Sequence, residues 1–378
     1  MIKKFFCLFL IFMVSFAGCK KTEESVQIEI IDGIPHVMNP ELPLKGTVLL
    51  EVEKGLDIDP YMYEEIGIRH FNHVRDEDGE VILFDSSQSE AQRFDARGNY
   101  LGNLVRLGQG PGEFRQYAGL RIHFMNGQIW ATGWPKWVKY DKNGKYLGEQ
   151  RLELMPEIFV DAYQCIATKS NTIEGDTEQR QVVLVDLSDQ KDKESEINLY
   201  EDTREWIIRK GPSAFADEWA TPQIYYDYSA FSRCVFIALN LSYEIYVKDL
   251  EGKILHVIKK PYENVKVGPI EKEILADWAL GRESSKWILD AYPEILVAIK
   301  SVKTLPRGYL AVYRVSGPKM FEIDVFDPEG KFVYILKAPD EISLEEAHFY
   351  NFGFSTLENR NDFRFYVEYR IKNLPDIF

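Results

Sequence analysis

Three groups of residues have types and spacings suited to chemistry. The first is the run RLGQGPGEFRQY, from Arg106 to Tyr117, with Gly108, Gly110 and Gly112 beside Pro111. Closely spaced glycines can bring backbone amides around a phosphate. The G-x-G-x-G spacing is nevertheless wrong for a dinucleotide fingerprint, and a strand, not a helix, is expected after it. The run therefore reads as a tight connector in which glycine and proline suit a sharp crossing. Glu113 is placed to bind the backbone amides of that loop.

The second group is basic. His73 and Arg121 each stand six residues before a turn glycine, Gly79 and Gly127, while Arg75 and His123 each stand four before. Even offsets predict that all four share one strand face. On strands lining a channel they would form a His/Arg ring at its mouth, fit for an anion or, through imidazole nitrogens, for a metal, Zn or Ca. A third histidine, His348, also falls near a predicted inner strand. The third group is aromatic: Trp130, Trp134 and Trp137, the last two in GWPKW. Exposed indoles stack on sugar rings or apolar ligands; the structural alternative is packing between neighbouring sheets. No G-x-S-x-G, HExxH or Walker sequence occurs, so no catalytic residues are assigned.

These residues are positioned by a repeat. RFDARGNYLG, KYDKNGKYLG, VKDLEGKILH and VFDPEGKFVY share Asp-x-x-Gly between apolar runs, at Asp95/Gly98, Asp141/Gly144, Asp249/Gly252 and Asp327/Gly330. Aspartate that bonds its own backbone, followed by a glycine with positive φ, makes a hairpin turn. The aspartates lie 46, 108 and 78 residues apart; a degenerate copy at Gln181 divides the second interval. A second hairpin signal precedes three copies, at Gly79, Gly127 and Gly308. Each unit is thus a four-stranded antiparallel sheet, and the chain is expected to be all-β, a six-bladed β-propeller. Blades should begin near Phe71, Leu120, Ile158, Gln223, Ile295 and Ala347, with the last blade's missing outer strand supplied by Gly46–Glu53. Closure of this kind removes an exposed edge. A helical insertion near 269–290 starts at Pro269 and presents Ile270, Ile274 and Trp278 at helical spacing, the face expected to pack on a blade edge.

The N-terminus carries an address. Lys3 and Lys4 precede an apolar run, Phe5–Gly18, that is too short to span a bilayer comfortably. SFAGC resembles a bacterial lipobox. Residues 1–18 are then a signal peptide, Cys19 is lipidated, 19–44 are a tether and N-terminal segment, and 45–378 form one propeller domain. Several acyl chains anchor stably, and Lys20 after the cysteine favours the outer membrane. Cys165 and Cys234 remain, in apolar stretches, as buried thiols or as a disulfide pair. The formal charge of −15, or −17 without the leader, and the lack of a basic stripe exclude nucleic acid as a partner.

IDGIPHVMNPELPL, DEDGEVILFD and RFDARGNYLGNLVRLGQGPGEF together resemble the six-bladed β-propeller lipoproteins with NHL-like repeats, from about Ile31 to Phe378. The resemblance implies the fold and an envelope location and implies no reaction. Two function classes stand: a non-catalytic binding or scaffold module on the envelope for a glycan, peptide or protein, and a propeller enzyme of the metal-dependent lyase or lactonase type working at the channel mouth.

Overall fold

The computed structural model describes residues 25–62, 71–151, 154–174, 177–187, 196–210, 213–215, 219–280, 289, 292–361, 363–373, 375 and 377. The leader, Cys19 and the side chain of Trp278 lie outside them. The chain is a six-bladed β-propeller. Blade one comprises Phe71–Arg75, Val81–Asp85, Glu90–Phe94 and Tyr100–Leu107, and blade two Arg121–Met125, Gln128–Gly133, Lys136–Asp141 and Tyr146–Arg151. Blade three is longer, with Ile158–Phe159, Gln164–Glu174, Thr177–Asp186 and Glu196–Glu205. Blade four is Ile224–Ser229, Cys234–Leu239, Glu244–Asp249 and Ile254–Lys259; blade five is Ile299–Thr304, Leu310–Gly317, Met320–Phe326 and Phe332–Lys337. Blade six is His348–Tyr350, Gly353–Arg360, Phe363–Ile371 and, from the other end of the chain, Val52–Ile58.

The repeated turn has one geometry throughout. The side-chain oxygens of Asp95, Asp141, Asp249 and Asp327 each accept from the backbone N–H groups two and four residues on, at 2.8–3.1 Å. Gly98, Gly144, Gly252 and Gly330 have φ of 80–84°, a region that favours glycine because it has no Cβ. Alternation along each strand sends apolar side chains to both sheet faces, so the core divides into layers between blades. Ile82, Phe84, Ile122 and Ile129 join blades one and two. Phe236, Ile258, Val312 and Phe332 join four and five. Leu83, Phe94, Leu357 and Tyr366 close the ring between one and six.

The closing strand differs from expectation. The N-terminal segment does supply it, with later bounds than Gly46–Glu53: Thr47–Leu49 runs parallel beside Phe332–Lys337 on blade five, and Val52–Ile58 completes blade six by pairing with Phe363–Ile371. The apolar run is split because buried Leu50 donates its N–H to Lys337 while Glu51 binds the Asn373 side chain, stepping the chain from one blade to the next. Upstream, within the 19–44 tether and N-terminal segment, a hairpin of Gln27–Ile31 and Ile34–Met38 lies on blade four, with Ile34–Met38 parallel to its outer strand. The connector after blade one behaves as its sequence implies. Glu113 Oε2 accepts from Gly110 N–H at 2.8 Å, and Glu113–Phe114 pairs parallel with Arg106–Leu107.

A helix, α1, spans Pro269–Leu280. Its orientation corrects the sequence reading. Ile270 and Ile274 are exposed, and Leu275 is the residue that buries, against Trp219, Val267 and Tyr292. Cys165 and Cys234 are both free and buried; burial pushes the Cys165 thiol up to about 12.

Candidate functional site at the channel mouth

The inner strands of the blades surround the channel, and one end of it opens into a cavity of about 780 Å³. Its wall is formed by Val74–Glu77 of blade one, Ile122–Phe124 of blade two, Glu157–Phe159 of blade three and His348–Phe352 of blade six. These segments are inner strands and the turns that follow them, so loops held by a rigid ring shape the opening.

The four basic residues do not form a ring. His73 and Arg75 face blade six: His73 Nε2 lies 2.9 Å from Ser355 Oγ, and Arg75 Nε donates to Glu368 at 2.9 Å. Arg121 and His123 face blade three, toward Glu157 at 3.5 Å and the Phe159 ring at 4.7 Å. The reason lies in the turns. Val81 and Ile129 each stand two residues after the turn glycine, but five residues separate Val81 from its partner Arg75 and four separate Ile129 from its partner Phe124. Counting back equally from Gly79 and Gly127 therefore lands on opposite faces, because one residue of slip inverts a strand. Arg75 and His123 still border the same cavity, while His73 and Arg121 are absent from its lining.

The cavity carries little free positive charge. Arg75 is neutralised by Glu368 and lies beneath the rings of Tyr350 and Phe352, at 4.8 and 5.3 Å. Burial, and secondarily Arg121, pushes the His123 imidazole down to about 3. Burial and then Lys303 push His348 down to about 3 as well; its ring is reachable from the lumen yet ringed by protein. His73 is held well below the usual range by burial first, then by His348 and Lys303. At neutral pH these rings are uncharged, each with one donor and one acceptor nitrogen. The histidines therefore bring no positive charge to the opening. His123 Nε2 is buried with no hydrogen-bond partner. Among the described residues no three His, Cys, Asp or Glu side chains gather as a metal site.

The tryptophans also part company. Trp130 and Trp137 are buried between blades two and three, 4.3 Å apart, beneath the Lys139 ammonium and beside Phe159. They offer no face to a ligand. Trp134 alone is exposed, at 55%, in a turn that begins with its N–H donating to Ala118. The mouth aromatics that sequence reasoning missed are Phe159, Phe349, Tyr350 and Phe352. The available signal was HFYNFGF, where aromatic residues crowd both sides of a turn between inner strands.

With this geometry in hand, comparison with known proteins places the fold. The DUF5128 family profile, described as a 6-bladed beta-propeller, matches residues 63–246, just under half of the chain. The chain is similar to a candidate exported protein from Bacteroides fragilis at 13% identity, with 89% of this chain and 100% of that one covered and a TM-score of 0.50. A DUF4221 family member from Bacteroides vulgatus is 11% identical, covering 86% and 99%, with a TM-score of 0.45. Virginiamycin B lyase from Staphylococcus aureus is 12% identical, covering 80% and 94%, with a TM-score of 0.39. The first likeness speaks to fold alone, and the other two carry nothing further. A search of curated proteins gives no match.

Proposed function

We propose that the protein is an envelope-anchored, non-catalytic binding module that holds an uncharged glycan in the mouth of its propeller. One observation carries this reading: a concave opening walled by Phe159, Phe349, Tyr350 and Phe352, into which His348 brings an uncharged imidazole. Aromatic faces cover the apolar side of a sugar ring, and neutral imidazoles hydrogen-bond hydroxyls from either direction. Asp76, Glu77 and Glu157 at the rim supply further acceptors for hydroxyl groups and disfavour anionic ligands. The lipobox-like SFAGC supports placement on the outer membrane through Cys19.

The test is a glycan and peptide array with soluble Cys19→Ser protein, followed by calorimetry. Neutral oligosaccharides should bind. Phe352→Ala, which strips one wall, should weaken binding about tenfold, the equivalent of ~1.4 kcal/mol. Trp134→Ala should leave affinity unchanged. Phe352→Ala protein binding as tightly as the parent, or a parent that selects only peptides or anions, would overturn the reading.

A further inference from the structure

The N-terminal stretch of the described residues forms a belt along the outside of blades four and five. It passes from the hairpin on blade four, through Asn39, whose side chain bridges Lys259 and Gly330, to the outer strand of blade five. This belt carries Ile28, Ile30, Leu42, Leu44 and Leu49, all exposed, at 49–66%. Five large aliphatic side chains left in water along one short stretch of rim are not explained by packing within the ring. Large exposed apolar side chains concentrated on one segment are what an apolar partner surface would cover.

The distance to Cys19 says what meets it. Gln27, which begins the hairpin, is eight residues from Cys19. Fully extended, that tether spans at most about 29 Å. An acylated Cys19 therefore keeps the belt near the bilayer at all times, at a high effective concentration with respect to the lipid. We propose that the rim of blades four and five, led by Ile28, Ile30, Leu42 and Leu44, rests on the membrane surface. The propeller then stands on its edge. Blade two, three positions round the ring from blade five, is held away from the lipid, and the channel mouth opens sideways where ligands can reach it. The contact is apolar: Glu29, Asp32 and Glu41 outnumber Lys45 along the belt, so it does not depend on anionic lipid. This inference rests on acylation of Cys19, part of the reading above.

The experiment uses acylated full-length protein in vesicles of phosphatidylethanolamine and phosphatidylglycerol bearing a headgroup-region quencher. Environment-sensitive labels are placed singly at Ile30→Cys, Leu42→Cys and Leu147→Cys, the last on the outer strand of blade two and exposed. Cys165 and Cys234 are buried and leave little background. The labels at 30 and 42 should be quenched several-fold more than the label at 147, and Cys19→Ser should abolish the difference. Equal quenching at all three positions would overturn the edge-on arrangement, as would recovery of the parent protein without acyl chains. Glycan affinity does not enter this readout, so the binding reading and the membrane contact can fail separately.

Discussion

Replacing Asp324 with asparagine should cost the fold several kcal/mol, and the structure bounds the figure. Asp324 is fully buried at the junction of blades four and five. Its Oδ2 accepts from Lys260 Nζ at 2.7 Å, the Tyr243 hydroxyl at 2.7 Å and Arg314 Nε at 3.0 Å. Arg314 keeps a second partner in Glu322, but Lys260, with its side chain 4% exposed, pairs with Asp324 and otherwise sits over the Phe332 ring. Asparagine preserves shape and an acceptor oxygen while removing the charge. Breaking a buried pair from one side costs about 3–5 kcal/mol. Lys260 can escape by losing its proton, and for an ordinary lysine that costs about 4.6 kcal/mol at pH 7, from a reference pKa near 10.4. The expected loss is therefore about 3 to 4.6 kcal/mol. Urea unfolding of Cys19→Ser protein, with and without Asp324→Asn, measures it. Adding Lys260→Met should recover most of the loss. The variant should also gain stability with rising pH more steeply than the parent, because its unfolded state would hold the Lys260 proton more firmly than its folded state. A loss under about 1 kcal/mol, or no recovery with Lys260→Met, would refute the reasoning.

The histidines make a second prediction. An unfolded imidazole protonates near pH 6.5 and folded His123 only near 3, so the unfolded state binds more protons across that window. Stability should fall as pH drops from about 6.5 toward 3, by at most ~1.4 kcal/mol per pH unit for this group. Asp227, whose carboxyl burial raises, works in the opposite sense, so the readout is the flatter profile of His123→Gln relative to the parent. In the connector, Gly112 has φ of 77° and a Cβ there would meet the Tyr146 ring at 3.2 Å; Gly112→Ala should lower stability by about 1–2 kcal/mol in urea unfolding. Trp137→Ala should cost about 3–5 kcal/mol as a buried aromatic, whereas Trp134→Ala, on the surface, should stay within about 0.5 kcal/mol. Native protein should react slowly with a thiol reagent at Cys165 and quickly after unfolding.

The ring was legible because its turns are written chemically. Asp95 and its three counterparts each need the same backbone bonds, and only glycine fits the position that follows, so the repeat survives where strand sequences diverge. Connector and turn were readable for the same local reason. What failed was anything that depended on parity or on partners far away in sequence. The face of His123 depended on the length of a turn, which a count from Gly127 does not contain. Where within the N-terminal segment the closing strand begins depends on Lys337 and Asn373, hundreds of residues away. The tryptophans illustrate a third limit: Trp130 and Trp137 sit on strands facing blade three, and no local feature distinguishes an indole that packs against a neighbour from one that awaits a ligand. Ile270 and Ile274 satisfy helical spacing, yet Leu275 is the residue that meets Trp219 and Tyr292. Periodicity identifies a helix and leaves its rotation to tertiary contacts.

The central claim is that the channel mouth is the binding site, and a crystal structure of Cys19→Ser protein with the best neutral oligosaccharide from the array tests it most directly. Sugar density should lie between Phe159 and Phe352, with a hydroxyl within hydrogen-bond reach of the His348 imidazole. Ligand density on the rim, beside α1, or against Trp134 with an empty mouth would contradict it.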